Sequence, residues 1–252
     1  MVDGRMGEDL LSFGVPVLAL GDPAQLPPVA GGGFFTDHEP DFMLTDIHRQ
    51  AAENPILQLA TKARNRETID LGQYGDTCKV INLRDLQKEE ALAADQMLVG
   101  KNNTRAKWNK KLRSLRGFAG DLPGIGERII CLQNDSKKGL LNGGMWTTEE
   151  VERISEDRCL LRVSSLDLNK GMALEVEAHT HHFEDRSKEL HWTSKRDAAE
   201  FDYAHAITAH KSQGSEFDNV VVIDESNVFR DSSHRWLYTC ITRASEKLIL
   251  VR

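Results

Sequence analysis

Polar residues gather at the ends of three apolar runs. In "LALGDPAQLPPVAGGG", residues 18 to 33, Asp22 and Gln25 follow an apolar segment and precede the rigid Pro27-Pro28 pair. In "AITAHKSQGSEFDNVVVIDES", residues 206 to 226, Thr208, His210, Lys211, Gln213, Gly214 and Glu216 separate two apolar segments. In "HRWLYTCITRASEKLILV", residues 234 to 251, Arg243 closes a helix-like stretch before a final apolar run. Parallel sheets bind ligands beyond the carboxyl ends of their strands. Dense polar groups behind a strand are costly unless they meet a ligand or solvent. An arginine suits such a place because its planar fork takes two phosphate oxygens at once. Blander readings stand beside these: Gly, Asp and Pro are ordinary turn residues, and an arginine at a helix C-terminus complements the dipole.

Residues 101 to 116, "KNNTRAKWNKKLRSLR", hold seven Lys or Arg and no acid, in a chain whose net charge is −7. Trp108, Leu112 and Leu115 recur at helical spacing, so the segment reads as an apolar stripe beneath a basic face. That face is either solvated or set against phosphates. His179, His181 and His182 lie together, but no Cys or acidic partner falls at ligand spacing, and no metal is assigned. Cys78, Cys131, Cys159 and Cys240 are far apart with no C-x-x-C pair, as in the reduced core of a cytoplasmic protein. No apolar run approaches the roughly 20 residues that cross a bilayer, and no membrane partner is expected.

The elements that must position these residues alternate. Strand-like runs fall at 15–20, 96–99, 219–224 and 247–251, with helix-like stretches at 54–66, 104–117 and 233–244. This alternation predicts an α/β parallel-sheet protein, with 15–20 as a central strand, apolar on both faces. Between about 119 and 196 the text changes to short β-rich pieces, "ERIICLQND", "RCLLRV" and "ALEVEAHTHHF", with Gly143-Gly144 and Asn169-Lys170-Gly171 as turns. That section reads as a small β-barrel inserted into the α/β body.

Together these residues resemble the superfamily 1 helicases, specifically the RecD-like DNA helicases related to the alpha subunit of exonuclease V. "GDPAQLPPV" is similar to motif III of that family, "LTDIHRQ" to motif IV, and "MLVGKNNTR" to motif IVa. "ITAHKSQGSEFDNVVV" is similar to motif V and "LYTCITRA" to motif VI. Five motifs in the right order are far more specific than any one. The resemblance implies two RecA-like domains of the P-loop NTPase type closing on ATP with Mg²⁺. Residues 1–66 would be the remnant of the first, 67–118 and 197–252 the second, and 119–196 an SH3-like β insert. Gln25 would sense the γ-phosphate, Arg49 and Arg243 would reach it from opposite sides, and Gly214 and Glu216 would lie by the nucleotide. Asn103, Arg105, Thr208, His210 and Lys211 would contact single-stranded DNA. The implied activity is ATP-dependent 5′-to-3′ translocation on that strand. A non-catalytic DNA-binding fragment and an RNA helicase of the same superfamily remain open, as does service in repair, recombination or replication complexes.

No stretch reads G-x-x-x-x-G-K-[ST]: the Gly100-Lys101 pair has Asp95 and Asn102 at the wrong places, and "GGGFF" has no lysine. Asp224-Glu225 follows motif V directly, where the family places no magnesium site. "MVDGRMGEDLL" resembles the text just past the family's Mg²⁺-binding acids. The main phosphate-binding groups are therefore expected outside this chain, which alone would not hydrolyse ATP. Residues 1 to 66 are expected to lack most of their sheet partners.

Overall fold

The computed structural model describes residues 2–28, 32–44, 53–167, 172–191 and 197–252. The helices are α1 (Gly4–Ser12) and α2 (Pro55–Arg64), followed by strands β1 (Gly72–Tyr74) and β2 (Cys78–Ile81). Next come α3 (Lys88–Ala93), β3 (Gln96–Val99) and α4 (Asn102–Leu115). Five strands follow: β4 (Arg128–Cys131), β5 (Met145–Arg153), β6 (Arg158–Ser165), β7 (Ala173–His179) and β8 (Phe201–Tyr203). The chain ends with β9 (Ala206–Thr208), β10 (Phe217–Ile223), α5 (Ser233–Ile241) and β11 (Ala244–Val251). Two compact units result, one from Met1–Leu86 with Ser212–Arg252, the other from Gln87–Lys211.

In the first unit, β11 pairs in parallel with both β10 and β2, and β1 adds to β2 antiparallel. Val220 to Ile223, Leu248, Leu250 and Val80 are buried, as expected of strands covered on both faces. α2 starts well because Pro55 presets its first turn and the Asn54 side chain accepts from Ile56 N. Its buried face, Ile56, Leu59, Ala60 and Ala63, packs on α5, whose Trp236 and Ile241 are fully enclosed. Truncating Trp236 would cost roughly 3–5 kcal/mol. α1 is capped by Asp3 and carries Gly7, where an added Cβ would lie 2.1 Å from the Phe34 ring.

The expected central strand at 15–20 does not form. Its backbone has no ladder, and Val15, Leu18 and Leu20 are 61%, 85% and 88% exposed. The reason is that a strand is a property of a pair. An apolar run becomes one only when neighbours take up its N–H and C=O groups. Among the described residues none does so; residues 2–28 and 32–44 contain no strand at all.

In the second unit, β3 and β9 pair in parallel with Val99 opposite Thr208, and α4 packs on both. The β-rich section is an antiparallel sheet in the order β7-β6-β5-β4-β8. β6 alternates buried with less buried residues along "RCLLRVSS", burying Cys159, Leu161, Val163 and Ser165. Ile129, Trp146, Val176, Phe183 and Phe201 complete that core. The sheet takes β8 from residues beyond 196. All four cysteines are buried free thiols, and among the described residues no helix is long and apolar enough to cross a membrane.

Candidate functional site

The first unit draws the 22–26 loop, residues 213–216 and Arg243 together. Asp22 folds its own loop: Oδ1 accepts from Ala24 N at 2.9 Å, and the Asp22 carbonyl accepts from Gln25 N at 3.1 Å. That loop is then fastened from outside at three points. Tyr238 OH donates to Asp22 Oδ2 at 2.8 Å, Leu26 N donates to the buried Thr239 Oγ1 at 2.9 Å, and Gln213 Nε2 donates to Leu26 O at 2.8 Å. Burial, then the bond to Asp22, pushes the Tyr238 phenol up to about 12. The Gln25 amide is half-buried and donates to Asp22 Oδ2 at 3.3 Å.

Arg243 stands at the end of α5 and is 9% exposed. Its Nε donates to Thr239 O at 3.2 Å, one terminal nitrogen to Ser215 O at 2.9 Å, and the other to Thr242 Oγ1 at 3.3 Å. Phe217 N returns a bond to Arg243 O at 2.8 Å. Burial lowers the Arg243 pKa, opposed by Cys240, Glu216, Tyr238 and Asp22. Gly214 has φ +83°, a left-handed conformation that favours glycine and lets the turn pass from Gln213 to Ser215. Glu216 is exposed. Gln25, Gly214, Glu216 and Arg243 thus belong to one unit, whereas Arg49 lies outside the described residues.

The second unit carries the other predicted residues at the carboxyl ends of β3 and β9. Ala209 N donates to Val99 O at 3.1 Å and Lys211 N to Thr208 O at 2.9 Å, so the chain turns just beyond the paired strands. Asn103 is exposed in the first turn of α4, and Thr208, His210 and Lys211 are half-buried. Burial lowers the pKa of both His210 and Lys211, and Lys211 Nζ bonds Asn142 Oδ1. Arg105 turns inward to an ion pair with Asp202, whose carboxyl burial pushes up and Arg105 draws back.

Four residues that anchor the start of β9 give little sign of it in the sequence. Asn109 of α4 is buried, accepts from Ala206 N at 2.8 Å and donates to Ala206 O at 3.0 Å, fixing where β9 starts. Arg113 Nε meets Glu127 Oε1 at 2.6 Å, and His205 Nε2 meets the same oxygen at 2.9 Å. Burial pushes the Glu127 carboxyl up, but hydrogen bonds from His205 and Arg113 outweigh it and hold the group below its ordinary range. Helical period alone points to Asn109, on the side of α4 that also carries Leu112.

Of the three neighbouring histidines, His182 bonds Glu200 at 2.7 Å and His181 lies 3.5 Å from Asp157. Asp224 accepts from Ser226 N at 2.9 Å and from Arg252 at 3.2 Å. Among the described residues no group of three His, Cys, Asp or Glu could hold a metal ion.

Comparisons with known proteins find similarity to helicases. The UvrD-like helicase C-terminal domain matches residues 203–251. The ATP-dependent RecD2 DNA helicase of Deinococcus radiodurans is 25% identical over 93% of this chain, which spans 32% of that protein. An uncharacterized protein of Methanocaldococcus jannaschii is 46% identical over 55 residues, 22% of this chain and 5% of its own length. The Pif1 helicase of Candida albicans shares the fold at a TM-score of 0.55 and 16% identity, over 92% of this chain and 62% of that one. The Bacteroides Pif1 helicase, solved with ADP-AlF3 and ssDNA, gives 0.53 and 17% over 91% and 60%. The chain therefore spans about a third of its RecD2 relative and under two thirds of these solved chains. By the domain match at 203–251, by the relationship along nearly all of its length, and by its mixed α/β fold with parallel strands, it is similar to the RecD-like superfamily 1 helicases.

Proposed function

We propose that the chain is the C-terminal motor portion of an ATP-dependent DNA helicase moving 5′ to 3′ along single-stranded DNA. The observation that carries this reading is the fastening of the 22–26 loop to α5 and to Gln213, which groups Gln25, Gly214, Glu216 and Arg243. In it, residues 1–66 belong to a first RecA-like body, 67–118 with 197–252 to a second, and 119–196 to an SH3-like insert.

The residues present suit the γ-phosphate end of a nucleotide. Phosphoryl transfer needs fixed charge where the γ-oxygens develop it. Arg243 brings a permanent cation and Gln25 an amide that senses the same oxygens. Arg243 now holds two backbone carbonyls, and charged phosphate oxygens are the stronger acceptors for a guanidinium, so exchange is favourable. Arg49 would approach from the other side. When bound, ATP with Mg²⁺ supplies the free energy for movement, its α- and β-phosphates cradled by P-loop residues absent from this sequence. Asn103, Arg105, Thr208, His210 and Lys211 would face the DNA strand. The ssDNA bound to the Bacteroides Pif1 helicase supports single-stranded DNA as the partner.

A second reading, a non-catalytic DNA-binding fragment acting with a separate P-loop chain, draws on the internal engagement of every Arg243 nitrogen. The test is ssDNA-stimulated ATP turnover by the purified chain, alone and mixed with a P-loop-bearing half. The chain alone should be inactive, and the mixture active and abolished by Arg243→Ala. Turnover that persists in Arg243→Ala overturns the motor reading. DNA binding without turnover in any mixture selects the second, and preference for RNA of the same sequence selects an RNA helicase.

A further inference from the structure

The seven cations of residues 101–116 do not act alike. Arg105 and Arg113 turn inward to the buried carboxylates Asp202 and Glu127. Arg116 reaches back to Leu92 O at 2.9 Å. Lys107, Lys110 and Lys111 of α4 stay exposed, and none makes an ion pair among the described residues. Lys111 Nζ sits 4.4 Å above the centre of the Trp108 ring, which steadies its ammonium on an apolar support.

These three lysines occupy one turn of helix, and Lys107 stands three and four positions before the other two, spacings where like charges repel by a few tenths of a kcal/mol per pair. The chain has 39 acidic residues against 32 basic ones, yet α4 itself carries no acid to relieve that repulsion. Lys110 shares a cavity with Asp121, Glu184 and Asp185, yet none of the three lysines closes an ion pair among the described residues, and such exposed positive charge on a net-negative protein fits a polyanion rather than a protein surface. Its place narrows the polyanion further. α4 begins at Asn102, straight after β3, beside the end of β9. At 1.5 Å per residue, the lysines lie about 6 to 12 Å along the helix from Asn103.

We propose that the outer face of α4, Lys107, Lys110 and Lys111 with Trp108, is a second nucleic-acid contact that grips the sugar-phosphate backbone without reading bases. It rests on the reading that the ends of β3 and β9 face single-stranded DNA, and extends that path along α4. Three ammonium groups replace counterions on three phosphates, so the contact declares itself through salt.

The test is fluorescence anisotropy of a labelled oligo-dT titrated with the full chain at several salt concentrations. K107Q/K110Q/K111Q should lower the slope of log affinity against log salt by about 2, roughly 0.7 per phosphate contact. The wild type then loses about 15-fold more affinity than the variant between 50 and 200 mM salt. K137Q/K138Q, which removes exposed lysines elsewhere, should leave the slope unchanged. An unchanged slope in the triple variant, with Thr208→Ala still weakening binding, overturns this inference and leaves the strand-end site standing. Equal slope changes in both lysine variants overturn it too, because net charge alone then acts. A wild type that binds no oligo-dT overturns the inference together with the reading beneath it.

Discussion

Tyr238 and Asp22 are joined by a 2.8 Å hydrogen bond across 216 positions of sequence. One residue sits mid-helix on α5 and the other opens a loop, so the bond ties together two segments that no local rule would associate. Its loss is measurable. Tyr238→Phe keeps the ring and removes the donor, leaving a half-buried carboxylate short of a partner. A bond to a charged acceptor contributes about 1.5–3 kcal/mol, and partial solvation of Asp22 places the expected loss near the lower end. Urea unfolding should show a lower midpoint at unchanged slope. An unaltered midpoint would mean that the Thr239–Leu26 and Gln213–Leu26 bonds hold the loop unaided.

Gly214 offers an independent handle on the same junction. Its φ of +83° costs a side-chain-bearing residue about 1–2 kcal/mol, while nothing lies within 4 Å of an added Cβ. Gly214→Ala should therefore destabilise the chain by that amount through backbone conformation alone, with no steric clash. Gly214→Asn, which tolerates the left-handed region better, should recover part of the loss. Equal destabilisation by both substitutions would point to contact instead of conformation.

The two units differed in how far they could be read from residues alone. β10 and β11 end in continuous apolar runs, and α4 and α5 show plain helical spacing, so their existence is evident from the residues alone. The run at 15–20 carries an equally strong apolar pattern and forms no strand. Pattern reports the surroundings a segment suits, whereas strand formation requires partners that supply them. The grouping of Gln25, Gly214, Glu216 and Arg243 was expected from the motif resemblance, and not from spacing, because those positions are 218 residues apart at the extremes. Tyr238 and Thr239 escaped attention because each looks like an ordinary helix residue. Their roles depend on which turn of α5 faces the 22–26 loop. Glu127 and Arg113 were hidden for another reason: both sit in charged text, and only burial reveals that the pair is internal.

That internal pair sets an acid response. Burial lowers the His205 pKa below the ordinary 6.5, so as pH falls the unfolded chain binds the extra proton first. Stability must fall as pH drops below about 6.5. His210 and His234, also lowered chiefly by burial, act in the same direction. Glu127 is held below its ordinary range, so its contribution persists above about 4.5 and is lost as pH falls through its folded value. His205→Gln should flatten the loss between pH 7 and 5 without removing it. Glu127→Gln should destabilise at pH 7 by about 3–5 kcal/mol, because Arg113 is left buried without its counter-charge. An identical pH profile in wild type and His205→Gln would sink this assignment.

The apolar run at 15–20 makes the sharpest contrast between pattern and place. Leu18 and Leu20 are 85% and 88% exposed, so neither contributes to the core of this chain. Surface substitutions away from caps and ion pairs typically shift stability by less than about 0.5 kcal/mol. Leu18→Ser with Leu20→Ser should therefore leave the unfolding midpoint where it was. Both side chains are nonetheless presented to water, as are those of Phe42 and Leu44 at 92% and 95%. Such surfaces favour self-association. The double variant should then reduce concentration-dependent sedimentation while keeping the same stability. A fall of several kcal/mol would show instead that the run is buried in solution, paired as a strand with partners that the described residues do not include.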